Sequence, residues 1–283
     1  MENNNKEQLI TSDLETKKHK RWKRIWSSVF FGGTLLISVG IAVGVTYTVK
    51  NNTINLSDEY IRMANNVIEE IKKEDLMKMA EKSSYYQKTM NDFAEAQKLK
   101  NENTKYTIQA KKEFAEEYLL YSRALQGDAF YYETIDKVNN WPILKNEGLA
   151  TEKQELLTAA ANLKESIAKA VANNDEDTLT FSIADFLVER MKKVFAIAEY
   201  KEKLNKINES LDEQISRCKE LVFELSNVVD KTNSQKLSDY VQDLVSKSTK
   251  DDSITKIENL LEKLKQLYEE YNKILTEKKS TSD

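Results

Sequence analysis

The sequence is short of the residues that fold sheets and of those that do most catalysis. Its 283 residues include six glycines, one proline, one cysteine and one histidine. Gly32, Gly33, Gly40 and Gly44 all fall in one apolar stretch, so everything after residue 50 contains only Gly127, Gly148 and Pro142 as turn formers. Sandwiches, barrels and α/β sheets need Gly and Pro at many turns. Their scarcity predicts an all-α chain of long helices. The only histidine, His19, sits in the N-terminal tail. The large C-terminal part therefore lacks Ser-His-Asp and Cys-His catalysis, HExxH zinc sites and His-ligated haem. A single Cys218 forms no intrachain disulfide and no thiolate metal cluster. With its glycines isolated, this part also has no Gly-rich phosphate loop. No catalytic, cofactor-binding or metal-binding residue is assigned, and the chain is expected to be non-enzymatic.

Charge is also missing from one long run. Ser27 to Val49 carries no Asp, Glu, Lys or Arg. The 24 residues from Trp26 to Val49 would form a helix of roughly 35 Å, enough to cross a bilayer with some tilt. Trp22, Trp26 and Tyr47 mark the two ends, where amphipathic rings favour the headgroup layer. Lys17, Lys18, Lys20, Arg21, Lys23 and Arg24 crowd the N-terminal flank. The positive-inside bias then places that end in the cytoplasm and the rest outside, in contact with membrane lipids at one segment only. The rival reading is a cleaved signal peptide, with Ala42-Val43-Gly44 as the small-residue site. Against it, the region before the apolar core is long, and apolar residues continue to Val49. Gly40 and Gly44 form a small-xxx-small pair, the spacing that lets two helices approach in lipid, and give one route to a homo-oligomer.

The expected organisation is a basic tail (1–25), a signal-anchor helix (26–49), a spacer (50–57), an elongated extracytoplasmic helical bundle with coiled-coil character (58–278) and a frayed tail (279–283). Residues 1–25 carry seven Lys/Arg against four Asp/Glu, and residues 50–283 carry 36 against 43. A domain of net charge −7 is a poor nucleic-acid binder, because phosphate affinity needs a basic surface.

Within the bundle, Ser57 is the expected N-cap of a helix whose stripe is Tyr60, Ala64, Val67 and Ile71. The phase slips at Lys73-Glu74-Asp75. Leu76, Met79, Ser83, Tyr86, Met90 and Phe93 then repeat at threes and fours. A break is expected at Lys100 to Lys105. After Phe114, Tyr118 and Tyr121, Gly127 reads as a C-cap and Asp128 as the cap of a short helix to Val138. The stretch 139–148 is the least helical. In it, the apolar group Trp141, Pro142, Ile143 and Leu144 reads either as a loop folded back on its own helices or as a partner-binding tip. Thr151 with Gln154 fits a capping box for a helix carrying Leu156, Ala160, Leu163 and Ile167. A turn at Asn173–Asp177 precedes a long helix to about Val229. Its stripe is Ile183, Leu187, Met191, Val194 and Ile197, then Leu204, Ile207, Leu211, Cys218, Leu221, Leu225 and Val228. The acids of that turn read as helix N-terminal preference. After a break at Asp230–Ser234 come two shorter helices. The last repeats Ile257, Leu261, Leu264, Tyr268, Tyr271 and Leu275 by heptads, widened by Leu260, Leu267 and Ile274. Tyr85-Tyr86 and Tyr131-Tyr132 are expected to place rings on different faces, some in the core and some exposed.

The composition, rich in Lys, Asn, Glu and Ile, suits an AT-rich bacterial genome. The functional expectation is a membrane-anchored scaffold or interaction protein of a bacterial cell envelope, in a surface, secretion, conjugation or division complex. The alternative is a membrane sensor or regulator reporting through the short basic tail.

Overall fold

The computed structural model describes residues 56–99, 108–228, 230–249 and 252–280. Every regular element among them is helical, so the chain is all-α there. No helix of the described residues is long and apolar enough to cross a membrane. The expected membrane segment, with its anchors Trp22, Trp26, Gly40, Gly44 and Tyr47, lies outside the described residues, as does the expected break at Lys100–Lys105.

Among the described residues, eight α-helices and two 3-10 turns follow in order. They are α1 (Leu56–Lys73), α2 (Met77–Ala80), α3 (Tyr86–Leu99), α4 (Ile108–Asn140), the turns Pro142–Lys145 and Glu147–Leu149, α5 (Ala150–Ala172), α6 (Glu176–Asn227), α7 (Lys231–Ser246) and α8 (Ile254–Ser280). The chain divides into two compact units. The first comprises residues 56–141 and Glu152–Ala196; the second comprises Pro142–Thr151 and residues 197–280.

In the first unit, α1 buries Met63, Ala64, Val67, Ile68 and Ile71, which carries the stripe read from the sequence. Ser57 is already inside this helix instead of capping it. The phase slip has a local cause. Asp75 adopts the left-handed conformation (φ 57°). The Leu76 amide reaches back to the Ile71 carbonyl at 3.0 Å, and the Asp75 amide to that of Lys72 at 3.3 Å. This pattern satisfies the last carbonyls of a helix, and the apolar residue after the turn packs on the helix it ends; Leu76 and Ile71 share one buried cluster. Asn174 (φ 53°) ends α5 in the same way, with Asp175 N bonding Ala170 O at 2.9 Å. Asp and Asn tolerate this backbone better than other side chains, which lets a Gly-poor sequence turn. Asp175 then opens α6, accepting from Thr178 N at 3.0 Å. The acids at 175–177 are thus helix-start residues.

Two local readings are corrected. Gly127 does not end a helix, and Asp128 does not cap one: α4 runs unbroken through both. A Cβ on Gly127 would lie 2.7 Å from Ile167 Cδ1 and 3.3 Å from Ile183 Cγ1, so the missing side chain is where α5 and α6 approach α4. The expected helix through Ser83 is also interrupted, because α2 stops at Ala80 and residues 81–85 turn.

In the second unit one core joins three helices. Leu204, Leu211, Cys218, Leu221 and Leu225 of α6 meet Leu237 and Val241 of α7 and Ile257, Leu260, Leu261, Leu264, Tyr271 and Leu275 of α8. This is the heptad pattern of the sequence realised as a bundle. The break at Asp230–Ser234 is shorter than expected. Asp230 caps α7 by accepting from Asn233 N at 3.2 Å, and the helix starts at Lys231.

The connector at 142–149 is fixed within the second unit. Asn146 accepts from Gly148 N at 2.9 Å and from the Tyr200 hydroxyl at 2.7 Å, and its amide donates to Asp252 O at 3.1 Å. The same Tyr200 oxygen accepts from Ile254 N at 3.2 Å. This network makes Asn146, not Thr151, the cap of the segment leading into α5. A Cβ at Gly148 would sit 2.1 Å from the Tyr200 oxygen. Gly148→Ala should therefore displace the Tyr200 ring and lose the bonds it anchors, costing about 2–3 kcal/mol. Urea unfolding of the two proteins measures this, and an unchanged midpoint would show that the connector does not need Tyr200.

Candidate functional site

The first unit buries several ionisable side chains, and these are its most distinctive chemical feature. Asp128 is fully buried on α4. Its carboxylate accepts from Ser83 Oγ at 2.6 Å and from Lys164 Nζ at 2.7 and 2.8 Å. Lys164 is partly exposed, and its ammonium lies 5.6 and 5.3 Å from the ring centres of Tyr131 and Tyr132. Burial pulls the Lys164 ammonium down most strongly of any single cause, but the hydrogen bond to Asp128, the attraction of its charge and smaller contributions from Tyr132 and Tyr85 together outweigh it, and the pKa ends above its ordinary value. Tyr131 and Tyr132 meet edge-on at 5.0 Å, so consecutive tyrosines do share a surface here. Tyr85, Tyr86 and Tyr131 all pack on the first buried cluster.

Arg190 of α6 is 1% exposed. Its Nη1 donates to Glu133 at 2.9 Å and to the Thr134 hydroxyl at 3.2 Å. Its guanidinium lies 5.5 Å from the centre of Phe130 and 5.9 Å from that of Phe186. Burial lowers its pKa, opposed by Glu133. Arg190 thus takes the inward position that the sequence stripe gives to Met191, which is only half-buried. A guanidinium between two rings with a carboxylate in reach replaces an apolar side chain there.

Arg123 forms the third element. It donates to Gln126 Oε1 at 3.1 Å and lies 3.7 Å from Glu176. Gln126 in turn donates to Glu70 at 3.1 Å. Burial raises the Glu70 carboxyl above its ordinary value, and Arg123, Gln126 and Lys73 only partly offset this. The folded state therefore binds a proton at Glu70 more tightly than the unfolded chain, and stability falls as pH rises through the raised pKa. At neutral pH the ionised carboxylate is a net cost. Glu70→Gln is expected to be neutral to slightly stabilising at pH 7, with the difference vanishing toward pH 4. Urea midpoints at the two pH values test this; a strongly destabilised variant at pH 7 would mean the Arg123 attraction outweighs burial.

These groups act as clamps between helices. Asp128 links the 81–85 turn, α4 and α5; Arg190 links α6 to α4; Arg123 links α4 to the start of α6. Each carboxylate already holds a cation or amide from a neighbouring helix, which suits structural cross-linking. Among the described residues no group of three His, Cys, Asp or Glu side chains is placed to hold a metal ion. Cys218 is buried in the second unit, with its thiol 3.6 Å from the Leu264 carbonyl and its pKa raised by burial, as its place on an apolar stripe implies.

The four residues of the apolar connector are separated. Leu144 is buried, Ile143 packs against the second unit's core, Trp141 is half-buried and Pro142 is exposed. Sequence reasoning missed Asp128, Arg123 and Arg190. Their only signal is a charge at a position that helical periodicity turns inward, and their partners on other elements lie 36 to 57 residues away along the chain. Searches against family models, curated proteins and solved structures find no match.

Proposed function

We propose that this chain is a non-enzymatic, single-pass membrane-anchored scaffold or interaction protein of a bacterial cell envelope, with its N-terminus in the cytoplasm and its helical part outside. The carrying observation is the join of two features. A charge-free run, Ser27 to Val49, follows six Lys/Arg within eight residues. Beyond it lies a helical region whose buried ionisable groups pair with one another between helices, as in Asp128–Lys164 and Arg190–Glu133. Such a region offers rigid surface for binding. Each of these carboxylates is held by a cation from another helix, which supports a structural role for it.

The test is protease treatment of intact cells expressing the full chain with an epitope at each end. Loss of the C-terminal epitope with survival of a short membrane-bound N-terminal fragment is the expected result. A C-terminal epitope protected until lysis would reverse the topology. A mature chain beginning near Val45 would replace the anchor by a cleaved signal.

A further inference from the structure

Helix α6 carries a second apolar stripe beside the one it buries. Phe181, Ala184, Val188, Met191 and Phe195 recur at alternating threes and fours, which is the seam of a helix pair. Phe181 is 57% and Val188 37% exposed, and the other three are half-buried. None of the five belongs to the buried clusters of the described residues or to the side chains packed on them. All five lie in the first unit. Scattered exposed apolar residues are ordinary, whereas five in heptad register form a face.

We propose that this face pairs with the same face of a second copy, antiparallel and about a two-fold axis. The residues along the seam select that occupant. An antiparallel register that sets Ala184 against Phe195 of the second copy also sets Val188 against its Met191. Each layer then matches a smaller side chain with a larger one, as close packing of two helices requires. The flank of the seam carries Asp185 and Lys192. The same register brings Asp185 of one copy beside Lys192 of the other, and the two-fold repeats the pair. A parallel pairing would oppose Phe181 to Phe181 and Phe195 to Phe195, crowding the rings, and would put Asp185 and Lys192 on opposite sides of the seam from their counterparts, so that the two charges could not pair across it. Lys192 now pairs with Glu189 on its own helix, both ends largely exposed. An exposed pair of this kind contributes little and yields readily to a better partner. The seam is short against the ~800 Å² per partner of a stable interface. The dimer is accordingly weak and is best read by crosslinking. This inference goes beyond the anchored-scaffold reading and does not depend on where the chain resides.

The experiment uses the purified full-length chain carrying Cys218→Ser. Ala184→Cys and Phe195→Cys are made in separate chains and oxidised alone and mixed. A disulfide-linked dimer that forms strongly only in the mixture is expected. Asp185→Lys in both chains should lower it several-fold, and adding Lys192→Asp should restore it. Val188→Cys mixed with Met191→Cys reports the adjacent layer, in case Phe195→Cys disturbs folding; helical circular dichroism checks each variant. Self-linking of the Ala184→Cys chain would show a parallel pair and overturn the proposal. So would a mixture signal indifferent to Asp185→Lys, or no link in either mixture, which would leave the face to another protein. A dimer found together with a failed topology test would keep this pairing and remove the membrane anchor; the converse result would keep the anchor alone.

Discussion

Arg190→Ala should destabilise the protein by about 3–4 kcal/mol. Three losses add. The truncation leaves a cavity between Phe130 and Phe186, whose rings now flank the guanidinium, and a vacated core site of this size costs about 2–3 kcal/mol on its own. The stacking on two desolvated rings goes with it. Glu133, mostly buried, loses one of its two cationic partners, and Thr134 loses a donor. Removing one member of a buried ion pair normally costs 3–5 kcal/mol because a charge is stranded. Here the lower part of that range applies, since Lys137 still holds Glu133 at 2.6 Å. Replacing both partners is a different experiment. Arg190→Met with Glu133→Gln fills the site with an unbranched apolar chain and leaves no buried charge. It should return to within about 1 kcal/mol of the parent. Urea unfolding of the three proteins decides the matter. If Arg190→Met alone matches the double variant, the ion pair is incidental and volume is the whole effect.

The same residue shows where sequence reading stops. Periodicity places Ile183, Leu187 and Val194 inward, and they are buried. At the next turn the choice lies between Arg190 and Met191, and hydropathy alone selects the methionine. The structure selects the arginine because Glu133, Phe130 and Phe186 converge on it, and no local rule supplies a partner 57 residues away. Gly127-Asp128 fails for a related reason. Glycine followed by a capping residue is a sound stop signal locally. Close approach by Ile167 and Ile183, with Lys164 and Ser83 holding the aspartate, makes the same two residues a helix crossing point. By contrast, the apolar stripe of the final helix was legible, although the helix runs to Ser280, two residues into the expected frayed tail. Ile257, Leu261, Leu264, Tyr271 and Leu275 repeat by heptads in the sequence and are buried in the fold, because a long regular helix in a three-helix core obeys periodicity with little interference. The face at Phe181–Phe195 was legible in principle. It was hidden by the stronger stripe beside it, which had claimed Met191.

Leu211→Asp carries the largest expected effect, about 4–5 kcal/mol. Leu211 is 7% exposed and sits in the second unit's core with Leu204 one heptad before and Cys218 one heptad after. Truncation to alanine at such a site costs about 3 kcal/mol through lost transfer energy and the cavity left behind. Aspartate adds the cost of a carboxylate on a stripe of leucines. Desolvation there raises the pKa of the introduced carboxyl, so the folded state favours its protonated form. The added penalty is then full above that raised pKa and fades as pH falls through it, toward the ordinary carboxylate range. The prediction is therefore a pair of comparisons. At pH 7 Leu211→Asp should unfold at distinctly lower urea than Leu211→Ala. Near pH 4 the two should approach each other while Leu211→Ala keeps its deficit against the parent. Hydrogen exchange should locate the loss in α7 and α8, the helices that share this core. Equal midpoints for the two variants at pH 7 would mean the aspartate reaches water, and position 211 would belong to the rim of the bundle.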